Sequence, residues 1–257
     1  MIKFFRKIRY DLTNQDKTSK YLKYAIGEII LVVIGILIAL SINTWNEERK
    51  YRNEEHQYIN RLLIENKKNI ITFTNEIKRL EKNNLTIKKF SDALNTKTCS
   101  DSLLIQIAND YMVFGSVYPI FSPSTSTYKD LSSTGNLNLL EDTKLREQIV
   151  GHYEAYEYVE KYFQININWA IPIDAPLFIE TNAIKFDSKY TKSLFSEQPI
   201  KNLANELYKN ETYFLRNIAM HYWINKDCIN YLLKIKEETT TLVQYLDSLA
   251  KKQNKND

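Results

Sequence analysis

Few residues in this chain have the types and spacing that chemistry needs. Glu28 is the first. It stands near the start of AIGEIILVVIGILIALSI (25–42), a run with no other ionisable group. A carboxylate at the centre of a bilayer costs about 2.5–3.5 kcal/mol and marks a proton or ion relay. Glu28 lies instead four residues past Tyr24, about 6 Å along a helix that rises about 1.5 Å per residue. That depth favours an interfacial carboxylate paired with Lys20, Lys23 or a lysine of a neighbouring subunit. Glu154, Glu157 and Glu160 beside His152 form a second group. Their spacing fits a solvated helix face better than a cation site. The third group is Cys99 and Cys228. They are a candidate disulfide in an oxidising compartment, and equally two unpaired thiols. His56, His152 and His221 show no metal-ligand spacing. No Gly-rich phosphate loop, G-x-S-x-G or H-E-x-x-H occurs. The expectation is a protein with no catalytic residue, no metal and no cofactor.

The elements that position these residues start with the apolar run. Eighteen residues approach the roughly 20 that a bilayer span requires. Tyr24 and Trp45 flank it as interfacial aromatics do, which predicts a transmembrane helix over 24–45. Residues 1–24 hold seven Lys/Arg against Asp11 and Asp16, whereas 43–257 hold 28 basic and 28 acidic residues. The positive-inside rule then places the N-terminus in the cytoplasm and the body outside, in the periplasm of a Gram-negative cell. A cleaved leader ending near Ala39-Leu40-Ser41 is the alternative. The long basic region before the run and the charged helical pattern directly after it argue against cleavage. MIKFFRKIRYDL, within the basic segment 1–23, reads as an amphipathic helix on the inner leaflet. Charge neutrality of the larger part excludes nucleic acid as a partner. The lipid bilayer is the partner expected instead. Gly35 and Ala39 form a small-xxx-small pair that lets another helix approach, so homo-oligomerisation, or contact with other membrane or periplasmic proteins, is expected.

No Gly or Pro occurs between Ile36 and Phe114. Leu63, Ile70 and Ile77 recur every seven residues, as do Phe73, Leu80, Ile87 and Leu94. This predicts a long stalk helix over 46–95. Its seam packs either between subunits or against later helices of the same chain. Asn66 and Asn84 interrupt it. A helical domain over 96–250 follows, with a frayed tail at 251–257. Within the domain, Asp101 is expected to cap a helix ending before Gly115. Gly135 closes a short helix from about Thr125, and Asp142 caps a longer one. NWAIPIDAPLFIETNAIKFD (168–187), with Pro172 and Pro176, reads as a connector that could form a ligand lip near Trp169. Asn225-Lys226-Asp227 reads as a break between two C-terminal helices.

MIKFFRKIR…KYLKYAIGEIILVVIGILIAL…INTWNEERK resembles the N-terminus of a membrane-protein family of unknown function from flavobacteria and their relatives. TYKDLSSTGNLNLLEDTKLREQI is similar to a second block of that family. The resemblance implies a single-pass inner-membrane protein with an α-helical soluble part, and no reaction. The expected fold is all-α: one N-terminal transmembrane helix continuing into a long stalk, then an extracytoplasmic helical bundle. The expected function is non-enzymatic scaffolding, interaction or signalling. Two alternatives remain: a periplasmic ligand or peptide sensor built near Trp169 and Tyr156, and an oligomeric channel or energy-coupled component using Glu28.

Overall fold

The structure is a computed structural model that describes residues 18–253, with only the backbone of residues 18–21, 24 and 253. The expected helix in MIKFFRKIRYDL and the Lys20 side chain lie outside the described residues. All the described regular structure is helical. The helices are α1 Thr18–Thr96, α2 Asp101–Asp110, α3 Ser126–Ser133, α4 Thr143–Thr181, α5 Ser188–Thr191, α6 Ile200–Lys209 and α7 Glu211–Gln253. The chain divides into two compact units, Met1–His56 and Gln57–Asp257, with α1 contributing to both.

In the first unit the apolar stretch of α1 reaches a mean hydropathy of 2.8, with none of it buried inside the protein. Ile29, Leu31 and Leu40 are all more than half exposed. The segment is long and apolar enough to cross a membrane; a leader sequence meets the same test. Trp45 is exposed at its far end, and Asn43 donates to Glu47 at 3.2 Å one turn on.

The second unit is built on the heptad. Phe73, Leu80, Ile87 and Leu94 are nearly inaccessible, and Leu63 and Ile77 are buried. Their neighbours are α4 and α7 of the same chain, through Tyr153, Tyr156, Leu232 and Leu246 at one end and Leu177, Phe214 and Ile218 at the other. At these positions the seam is therefore covered within one chain. α4 and α7 pack along each other. Aromatic contacts of Tyr231 with Tyr158 and of Trp223 with Trp169 show that they run antiparallel.

Several boundaries differ from expectation. Ser100 rather than Asp101 is the N-cap of α2, its hydroxyl accepting from the Leu103 N–H. α2 then widens into a π-helical turn over Tyr111–Gly115. α4 runs unbroken through Pro172 and Pro176, so 168–181 is helix and not a connector. α7 is continuous through Asn225-Lys226-Asp227. There Asn225 donates to Asn84 on α1 and Asp227 accepts from Asn166 on α4, both across helix seams. The break lies instead at Asn210, between α6 and α7. Asp142 and Gly135 behave as expected. The Asp142 carboxylate accepts from the N–H groups of Lys144 and Leu145, and Gly135 sits at φ 75°, in the left-handed region.

Candidate functional site

Two polar clusters occupy the core of the second unit. The first forms where α1, α3, α4 and α7 meet. Glu65 of α1 is buried, and its carboxylate is saturated. One oxygen accepts from the Tyr153 hydroxyl at 2.6 Å. The other accepts from the Thr127 N–H at 2.8 Å and the Ser126 hydroxyl at 2.9 Å. Glu65 thereby caps the N-terminus of α3 from another helix. The positive end of the α3 dipole and three donors compensate its burial. Asn66 donates to the Tyr153 hydroxyl and accepts from the Tyr156 hydroxyl at 3.2 Å. Asn69 donates to the Tyr156 hydroxyl and exchanges two hydrogen bonds with the backbone of Ser124. Thr239 of α7 closes the set 3.1 Å from the Tyr156 hydroxyl. Burial, reinforced by Glu65, pushes the Tyr153 phenol well above its usual range. Burial pushes Tyr156 up to about 12. Both hydroxyls stay protonated and act as donors.

This cluster separates two clefts. One, of about 910 Å³, opens between the 121–125 loop, α3 and α4, with the rings of Tyr128, Tyr153 and Tyr156 along its wall. Tyr128 stacks on Tyr153 at 4.2 Å. The other, of about 540 Å³, lies between α4 and α7, lined by Lys144, His152, Glu238 and Tyr245 among others. Burial lowers the His152 imidazole to about 4, so it is neutral at pH 7. Its Nε2 has no hydrogen-bond partner. The 121–125 loop is pinned by α1. Asn69 holds it at Ser124, and just before it Glu76 accepts from the Ile120 N–H at 2.7 Å while Arg79 donates to the Tyr118 carbonyl at 2.7 Å.

The second cluster surrounds Asp174, on α4 between the two prolines. His221 Nε2 lies 2.9 Å from Asp174 Oδ1. Asn217 donates to the same oxygen and Tyr118 to the other. Tyr111 donates to Asn217. The carboxylate partner fixes the Nε2–H tautomer of His221, and Nδ1 is left without a protein partner. Pro172 and Pro176 lack N–H groups, so the carbonyls of Asn168 and Pro172, both before Asp174 in the chain, have no helical i+4 donor.

The residues singled out in the sequence are not brought together. Glu28 is half-buried, while Lys23, Gly35, Ala39 and Trp45 lie exposed along the first unit. A Cβ on Gly35 would meet nothing within 4 Å. Cys99 and Cys228 are both free thiols. Cys228 lies in the core cluster around Tyr153, and Cys99 packs against the separate cluster around Phe214. The candidate disulfide is therefore not formed. Burial pushes the Cys228 thiol up to about 12, which leaves it without thiolate character. Among the described residues no three His, Cys, Asp or Glu side chains are grouped to hold a metal ion. The two polar clusters were not read from the sequence. A signal for the first was there in Asn66 on the seam and in the Tyr153/Tyr156 pair facing it.

The chain is similar to the epidermin biosynthesis protein EpiB of Staphylococcus epidermidis, with 24% identity over 203 residues. That match takes in 71% of this chain and 20% of EpiB, so the chain spans about a fifth of the relative's length. No solved structure matches the chain. The model of a family of unknown function, DUF6090, matches residues 28–191, and the chain belongs to that family.

Proposed function

We propose that this protein is a single-pass inner-membrane component that works by contact rather than catalysis. Its N-terminus is in the cytoplasm and its helical unit in the periplasm, where it scaffolds or signals to other membrane or periplasmic proteins or to further copies of itself. The observation that carries the reading is the apolar stretch of α1, which is long enough to span a bilayer and exposes its apolar side chains among the described residues, so that it needs lipid or another apolar surface around it. The basic flank sets the direction. The aromatic strip of Tyr158, Trp169 and Trp223 on the outer side of α4 and α7 is exposed and supplies the type of residue that contact surfaces favour.

The test is a set of reporter fusions at residues 15 and 250 in a Gram-negative host, with size analysis of the product. The reading expects alkaline phosphatase to be active only at the later position, and the full-length chain to remain in the membrane fraction. A soluble product shortened by about 40 residues would identify the apolar stretch as a leader and overturn the anchor. Self-association is tested by disulfide cross-linking of Gly35→Cys in nanodiscs, where dimers are expected. Monomers by mass photometry would remove that part.

A further inference from the structure

The larger cleft of the second unit carries charges that the protein itself does not use. Lys129 on α3, and Glu157, Glu160 and Lys161 on α4, stand along it. Among the described residues no ion pair or hydrogen bond engages their side chains. The wall behind them is aromatic, with Tyr128 stacked parallel to Tyr153. Two of the three tyrosine hydroxyls of that wall, those of Tyr153 and Tyr156, point inward. They are spent on Glu65 and Asn66, so at these two residues the cleft meets ring carbon. The negative side is felt at Tyr128, whose phenol is raised first by burial and then by the carboxylates of Glu154 and Glu157. The wall is also rigid. Tyr153 and Tyr156 are held by the Glu65 network, and the facing loop is held at Ser124 by Asn69. A volume of about 910 Å³ is at the upper end of small-ligand sites, which run to about 1,000 Å³.

We infer that this cleft binds short zwitterionic peptides, the free ammonium terminus meeting Glu157 and Glu160 and the free carboxylate meeting Lys129 and Lys161, with an apolar side chain against the Tyr128–Tyr153 stack. The geometry is two charges of each sign, unpaired, around one aromatic wall. A ligand of a single charge satisfies only half of them. An ammonium over a tyrosine face adds a cation–π contribution. The inference does not depend on membrane anchoring, because it concerns the second unit alone.

The test is calorimetric titration of the full chain in nanodiscs with trialanine, trileucine and triphenylalanine. Each is used free, N-acetylated, C-amidated and doubly blocked. At least one free peptide is expected to bind, and blocking either terminus to weaken it by about tenfold, as loss of one charge-assisted bond does. The paired substitution Glu157→Gln/Glu160→Gln should weaken the free peptide while abolishing the penalty for N-acetylation. Lys129→Met/Lys161→Met should do the same for C-amidation. Glu238→Gln, in the other cleft, is the control and should change nothing. All these positions are at the surface, and unchanged far-UV dichroism confirms the fold of each variant. No heat with any free peptide overturns the inference. So does equal affinity for free and blocked forms, or a blocking penalty that persists in the matching variant.

Discussion

Tyr153 and Tyr156 lie three residues apart on α4 and present both hydroxyls to α1, where Glu65, Asn66 and Asn69 receive them. Removing one donor from such a network leaves a charged acceptor short of a partner, which costs more than the bond contributed. Tyr153→Phe should therefore lower unfolding free energy by about 1–3 kcal/mol. The half-buried Tyr245→Phe, which loses only its bond to the surface carboxylate of Asp142, should cost clearly less. Urea titration of both variants by far-UV dichroism decides it. His152 gives a pH dependence of definite sign. Its imidazole ionises near 4 in the fold, against 6.5 ordinarily, so the unfolded chain takes up the proton first. Stability is complete above pH 6.5, falls as pH drops towards 4, and changes no further below that on this residue's account. The loss amounts to at most about 3 kcal/mol. His152→Phe should flatten the stability curve between those pH values relative to the parent. An unchanged difference between pH 7 and pH 4.5 would refute the assignment.

At the scale of elements, two glycines make opposite demands. Gly115 ends the π-helical turn, and a Cβ there would lie 2.4 Å from a ring carbon of Tyr111. That ring is buried and bonded to Asn217. Gly115→Ala should therefore displace Tyr111 and lower the thermal midpoint. Gly151 is inside α4, with nothing within 4 Å of an added Cβ. Gly151→Ala should be neutral or stabilising by up to about 1 kcal/mol, the usual helix preference of Ala over Gly. Much of this level was legible in the sequence. The heptad from Leu63 to Leu94 located the core face of α1, and Asp142 and Gly135 marked real caps. The misreadings share one cause. Asn66, Asn84, Asn225 and Asp227 look like interruptions because an isolated helix gives such side chains no partner. Here each finds one on a neighbouring helix, and only the tertiary structure contains that information. Pro172 and Pro176 misled in the same way. Together they disfavour a helix by several kcal/mol on propensity alone, at about 3 kcal/mol each. Burial of Ala170 and Leu177 and the bonds made by Asp174 between them outweigh that local preference.

For the molecule as a whole, the division after His56 makes a prediction about autonomy. Gln57–Asp257 contains both buried clusters and both polar networks, so a fragment of those residues should fold in water without detergent. It should show a cooperative thermal transition within a few degrees of that of the full chain in nanodiscs. A fragment that aggregates or melts without cooperativity would show that the preceding residues are needed for the core. The two indoles of this unit have a practical use as well. Trp169 and Trp223 stack at 5.9 Å with their planes 16° apart, one on α4 and one on α7. The chain has three tryptophans, and the remaining one is Trp45. Trp45→Phe therefore leaves an indole couple straddling a single helix seam. Its emission becomes an intrinsic gauge of whether α4 and α7 stay together when something binds or when the solvent changes, with no dye attached.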